Sequence, residues 1–198
     1  MSYQHAIVWC DVETTGLDPR EDELLEVAVL VTDLRGELLA EPWQSLVRPS
    51  EQGRLRLDAN DYVRRMHRKS GLIGELESQG WVEAFAPEQV RVRLREHLRA
   101  ALGERSRQEV RLGGRNVGSF DRPFMDHHLP GALERVSHRC VDVSAIWAPL
   151  RAVGVTGLSE GYQEGHRALF DLERDLAWYR RVVALLEAHQ GERLPEVA

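Results

Sequence analysis

The chain has 198 residues, of which 42% are apolar and 29% charged, with a formal net charge of −6 at pH 7. That length and apolar share suit one domain, 1–198, with its own core and a tail, 191–198, that is expected to fray. The acidic balance argues against a passive coat for long duplexes, no apolar run nears the roughly 20 residues of a membrane span, and two cysteines are too few for a disulfide framework. The start, Met1 to His5, is polar and reads as no signal peptide. Cys10 and Cys140 each sit in an apolar run, so both are expected as buried free thiols in a cytoplasmic protein.

His5 to Asp11 (HAIVWCD) is apolar and β-prone and reads as a buried strand. Thr14-Thr15-Gly16-Leu17-Asp18-Pro19 is a turn. Leu24 to Asp33 is a second strand and Leu38 to Val47 a third. The short links between them favour antiparallel hairpins. The apolar period then lengthens. Ala59 to Arg68 reads as a helix with a basic face. Pro87 to Leu102 is a clearer helix, with Val90, Leu94, Leu98 and Leu102 spaced by four, Pro87 in its first turn and Gly103 at its end. Val110 to Leu112 is a short strand leading into Gly113-Gly114-Arg115-Asn116. Ser119 to His128 is a helix stopped by Pro130-Gly131, and Arg139 to Val143 is a fifth strand, followed by a short helix capped by Ser144. Gly154 to Gly165 reads as a loop. Ala168 to His189 is the last long helix, with Leu172, Leu176, Tyr179, Val183 and Leu186 along one side. This order predicts an α/β fold with a mixed five-stranded sheet flanked by helices.

Asp11 and Glu13 stand two apart at the end of the first strand, and so share a face. Two carboxylates held together repel unless a cation lies between them, and hard oxygen donors suit Mg²⁺ or Mn²⁺. A bare Asp-x-Glu is more often the solvated end of an edge strand, so the pair needs its context. Trp9-Cys10-Asp11-Val12-Glu13-Thr14-Thr15-Gly16-Leu17 resembles the first motif of the DEDD exonucleases, a ribonuclease H-like family. Asn116-Val117-Gly118-Ser119-Phe120-Asp121 resembles the second motif. His166-Arg167-Ala168-Leu169-Phe170-Asp171 resembles the third, with the histidine-to-aspartate spacing of the DEDDh subgroup. The resemblance implies a ribonuclease H-like fold and 3′→5′ exonuclease chemistry. It makes Asp11, Glu13, Asp121 and Asp171 the ligands of two divalent cations, Mg²⁺ or Mn²⁺. His166 becomes the group that takes a proton from the attacking water, work suited to the one side chain that ordinarily titrates near neutral pH. Asp142 and Asp175 are nearby acids expected to be structural.

Within the subgroup, Met66 to Leu72, Cys140 to Ser144 and Ala177 to Arg180 resemble segments of the oligoribonucleases. That closer resemblance implies release of 5′-mononucleotides from the 3′ ends of short single-stranded RNA, down to dinucleotides, by a homodimer. Leu17 would wedge between two bases, Tyr62 would stack where the family has a tryptophan, and His67 would contact substrate. Arg139 and Ser144 would cap a 5′ phosphate, joined by His138 of a second copy, where the family has a tyrosine. Val117 replaces the family's serine after the Asn, and Thr14-Thr15 is closer to the proofreading pattern. These departures keep open a broader single-strand DNA or RNA exonuclease, like the proofreading enzymes or ribonuclease T. A catalytically silent binding module that keeps the fold is opposed by the intact five-residue set. Arg54, Arg56, Arg64, Arg65, Arg68 and Lys69 could form a basic rim beside the nucleic acid.

Overall fold

Alternation along the first strand decides which side of the sheet each residue serves. The computed structural model describes residues 5–78, 84–155 and 165–188. Strand β1 (Ala6–Thr14) sends Ala6, Val8, Cys10 and Val12 into one apolar layer and Ile7 and Trp9 into another. Strand β2 (Leu24–Thr32) pairs antiparallel with β1, setting Ile7 opposite Thr32 and Glu13 opposite Glu26, and β3 (Trp43–Leu46) pairs antiparallel with β2. On the other side of β1 lie β4 (Val110–Gly114) and then β5 (Cys140–Asp142), both parallel pairings. The strand order is β3-β2-β1-β4-β5. The sheet is thus mixed and five-stranded, with the two antiparallel hairpins where the short links put them.

Seven α-helices flank it among the described residues: α1 (Glu51–Ala59), α2 (Asp61–Lys69), α3 (Leu72–Ser78), α4 (Pro87–Leu102), α5 (Asp121–His128), α6 (Val143–Ala152) and α7 (Ala168–Ala188). Val90, Leu94, Leu98 and Leu102 of α4 and Phe124 and Met125 of α5 bury against Val8, Cys10 and Val29. A buried aliphatic side chain contributes about 1.5–3 kcal/mol, so this four-residue stripe, rather than the arginine-rich outer side, fixes how α4 sits. Ala168, Leu172 and Leu176 of α7 cover the opposite face, over Ile7, Trp9, Ala28 and Leu30. Trp9 anchors that layer: its indole N–H donates to Thr32 Oγ1 at 2.9 Å and its ring meets Tyr179 edge-on at 5.0 Å, so its one polar group is satisfied inside the core. A third cluster, with Leu25, Leu57, Val63, Leu72, Ile73 and Leu76, lies beneath α1, α2 and α3.

Several boundaries differ from the sequence expectation. The strand expected over Leu38–Val47 narrows to Trp43–Leu46, with isolated bridges at Leu38 and Val47; Pro42 has no N–H to give a ladder. The helix expected over Ala59–Arg68 is α2, begun at Asp61 because the Asn60 side chain caps it by accepting from the Val63 N–H. The flanking α1 and α3 were not anticipated. Asp142, not Ser144, caps α6. Cys10 is buried, but Cys140 is exposed, because β5 is the edge of the sheet. Along α7 the buried stripe passes to Val182, and Leu186 faces solvent. The tail 191–198 and residues 156–164 of the expected loop lie outside the described residues. Among the described residues no helix is long and apolar enough to cross a membrane.

Candidate active site

Asp11 and Glu13 continue the Ile7–Trp9 side of β1, the side that α7 covers. There they meet Asp171, in the first turn of α7, and the three carboxylates offer oxygens that all lie within 4.8 Å of one another. Asp121 arrives from a different element. β4 ends on Gly114, whose φ of +151° and whose position, with Cys10 O only 2.8 Å from where a Cβ would be, both require glycine. The chain then turns through Asn116, at φ +53°, and starts α5 with Asp121. Asp121 Oδ1 accepts the Val12 N–H at 3.0 Å, fixing α5 to the backbone between the two β1 acids. Asp121 is outside the 4.8 Å triplet but lines the same cleft, of about 510 Å³, with Asp11, Glu13, Leu17, His166, Asp171 and Asp175.

The third motif is held by a residue that sequence reasoning missed. Glu26, 2% exposed, faces α7 from β2. Its carboxylate takes two-toothed bonds from Arg167, with Nη2 at 2.8 Å and Nε at 3.2–3.3 Å, and accepts the Ala168 N–H at 2.9 Å. It therefore serves as the cap of α7 from a distant strand. Arg167 also reaches Glu75 of α3 at 2.7 Å. His166, at φ +49°, directly precedes this anchor. Asp171 Oδ1 in turn accepts the Gly165 N–H at 3.0 Å and lies 2.6 Å from Arg174 Nη1. The signal for Glu26 is in the sequence: it is the one acid inside the apolar run Leu24 to Val31, and a buried charge needs a partner.

Packing so many acids together moves their titration. Burial, followed by Asp121 and Glu13, pushes Asp11 well above the usual carboxylate range. Burial, followed by Asp171 and Glu26, pushes Glu13 up to about 8. Asp121 also rises, mainly through burial, against the pull of the Val12 N–H. Crowded, buried carboxylates with oxygens in reach of one point are a donor set that fits a hard divalent cation. This carries a stability prediction. A carboxyl whose folded pKa is raised binds more protons folded than unfolded, so without metal its contribution falls as pH rises from the ordinary carboxylate value toward about 8. A divalent cation takes the ionised form, so its stabilisation grows over the same window. Thermal midpoints in chelator and in Mn²⁺, taken at about pH 5.5 and about pH 8, should show the larger metal-induced rise at the higher pH. An equal rise at both would contradict the arrangement.

The remaining expected residues are spread more widely. Leu17 is 81% exposed and lines the acidic cleft. Its turn is held by Asp22, which accepts the Asp18 N–H at 3.0 Å and lies where a Cβ on Gly16 would be 2.3 Å away. Tyr62, 69% exposed, lines an adjoining cleft with Arg65, Lys69 and His166. Of the expected basic rim, Arg56 instead bonds Glu21, and Arg64 and Arg68 pair with Asp58 and Glu77. His67 is a correction. It is fully buried, one turn from Val63 on the inner side of α2, so it presents nothing to a substrate. Its Nε2 lies 2.9 Å from Thr14 O and its Nδ1 3.7 Å from Glu13 Oε2. His138 and Arg139 are exposed in a separate cleft with Arg107 and Arg111, and neither lines the acidic one. Ser144 does not line the acidic cleft; its hydroxyl lies 2.6 Å from Asp142 Oδ1 and 3.2 Å from Oδ1 of the cleft residue Asn116. Val117 is buried in the core. Arg115, Ser119 and Arg174 line the acidic cleft and were not anticipated.

No protein-family model matches the chain. It is 36% identical over 187 residues to the oligoribonuclease of Cutibacterium acnes, covering 89% of this chain and 85% of that protein. To the oligoribonuclease of Tropheryma whipplei it is 35% identical over 183 residues, covering 88% and 91%. Among solved structures it is similar to exonuclease I of Methylocaldum szegediense, with a TM-score of 0.63 and 22% identity, over 95% of this chain and 41% of that one. The chain thus spans about two-fifths of that enzyme's length, and the likeness is one of fold.

Proposed function

The chain belongs to the oligoribonuclease family, and from that premise we propose that it is a metal-dependent 3′→5′ exonuclease that releases 5′-mononucleotides from short single-stranded RNA, down to dinucleotides. The observation that carries this reading is one cleft lined by Asp11, Glu13, Asp121, Asp171, His166 and the exposed Leu17. The four carboxylates hold two divalent cations, Mg²⁺ or Mn²⁺. Such ions, when bound, supply Lewis-acid stabilisation of charge on the scissile phosphate. His166 takes a proton from the attacking water at a ring nitrogen, while its place is kept by the Arg167–Glu26 anchor beside it. Leu17 parts the last two bases. Tyr62 stacks on one of them, for about 1–3 kcal/mol.

A second reading, a broader single-strand exonuclease, is favoured by the residues expected at the 5′ phosphate. Val117 offers no hydroxyl, and His138 and Arg139 sit outside the acidic cleft. A homodimer could bring the partner's cap residues to this cleft. Supporting it, α6 leaves Ala145, Trp147, Ala148 and Pro149 exposed beside the edge strand β5.

A length series on 5′-labelled RNA and DNA separates the two readings. Faster cleavage of a 5′-phosphorylated RNA dinucleotide than of a long strand is the expected result. Faster cleavage of the long strand would replace it with the broader enzyme. In sedimentation the protein should run as a dimer; a 22.6 kDa monomer at assay concentration would remove His138 from the site.

A further inference from the structure

We infer that Arg115 and Arg174, steered by the buried carboxylate of Asp175, form a cationic wall of the acidic cleft that binds phosphate oxygens of the substrate strand. The inference rests on the exonuclease reading and adds to it two binding residues and the acid that positions them.

Both arginines line the cleft with the clustered acids. They come from different elements: Arg115 from the turn after β4, Arg174 from α7, one turn past Asp171. Asp175, 4% exposed, is where they converge. Arg115 Nη2 is 3.3 Å from its Oδ1 and Arg174 Nε is 4.0 Å from the same atom, while Arg174 Nη1 reaches Asp171. The guanidinium planes are therefore set by acids behind and beside them, and parts of both side chains stay accessible, at 36% and 19%.

The charge of the cleft gives this wall a purpose. Asp11, Glu13, Asp121, Asp171 and Asp175 share it, and an incoming nucleic acid is itself anionic. Two divalent cations leave five carboxylates one charge short of neutrality. The two guanidinium groups carry the filled cleft to a net positive charge. Arginine also suits the work in geometry, because its planar fork can take two phosphate oxygens at once. A narrower account would give Arg174 only the task of neutralising Asp171, and Arg115 only that of neutralising Asp175.

Initial rates on a short 5′-labelled RNA across a range of salt concentrations distinguish these accounts. For single strands, each side chain that neutralises a phosphate contributes about 0.7 to the slope of log affinity against log salt. Arg115→Met and Arg174→Met should each flatten the slope of log kcat/KM by about that amount. Each should also lower kcat/KM by about ten- to a hundredfold, chiefly through KM. Asp175→Asn should give a smaller loss of the same kind. An unchanged slope in both Met variants overturns the inference, and does so equally if calorimetry shows altered Mn²⁺ affinity for Arg174→Met, which would assign that arginine to Asp171 alone. If the Met variants do not fold, Arg115→Lys and Arg174→Lys decide. Keeping the charge but losing the fork, they should hold the slope and raise KM, whereas a KM equal to that of the unaltered protein sinks the idea. An unaltered protein that cuts neither RNA nor DNA would remove this inference and the exonuclease reading together; normal cleavage with unmoved slopes would remove this inference only.

Discussion

Replacing His166 with alanine should lower kcat by about a hundred- to ten-thousandfold, the usual share of a positioned general base, while leaving Mn²⁺ binding in place. Asp11→Ala should abolish turnover and weaken Mn²⁺ binding as well, because Asp11 is one of three carboxylates whose oxygens converge within 4.8 Å. The two variants separate the work of the histidine from that of the acids. Calorimetric Mn²⁺ titration and single-turnover rates on the same preparations measure both. Turnover of His166→Ala within about tenfold of the unaltered protein would move the proton to another group. Unchanged hydrolysis in both variants would trace the activity to a contaminant.

Arg167→Met should cost about 3–5 kcal/mol of stability, the range for stranding one member of a buried ion pair. The charge left behind is Glu26, which also caps α7 through the Ala168 N–H. Urea melts of the single variant and of Arg167→Met combined with Glu26→Gln test this. The double variant should recover part of the loss, since most of the cost is the unpaired carboxylate rather than the missing bonds. Activity should fall further than stability requires, because His166 directly precedes Arg167 and Asp171 lies one turn beyond it. A double variant no more stable than the single one would mean that the Arg167 contacts to Glu75 and the surrounding packing, not the Glu26 charge, hold α7.

What the sequence made legible follows from the range of the forces involved. Alternation places Asp11 and Glu13 on one face without any knowledge of the fold, and spacing by four finds α4 to the residue. The three motifs mark the acids and the histidine because each motif is contiguous. Contacts made across the chain are not written locally. Arg167 meets Glu26 over 141 positions and Arg115 meets Asp175 over 60, so neither pairing has a local pattern. His67 looks like a polar residue on a basic helix, and only the docking of α2 turns it inward. Cys140 resembles a core residue until β5 proves to be an edge. The helices α1 and α3 are short and charged on their outer sides, and their burial depends on the shared cluster around Leu25.

The Glu26–Arg167 clasp also says something about time. β1 and β2 are neighbours in the chain and can pair as a hairpin early, whereas α7 is made later than both, and its Ala168 reaches Glu26 of β2 across 142 positions. A nascent chain carries Asp11, Glu13 and Asp121 well before it carries His166 and Asp171. Those late residues take their places only when the Ala168 N–H and the Arg167 guanidinium find a carboxylate made long before. The acidic cleft is therefore complete only when the fold is: a chain that stops before Ala168 carries Asp11, Glu13 and Asp121 but lacks Asp171, and its His166 has no helix to hold it.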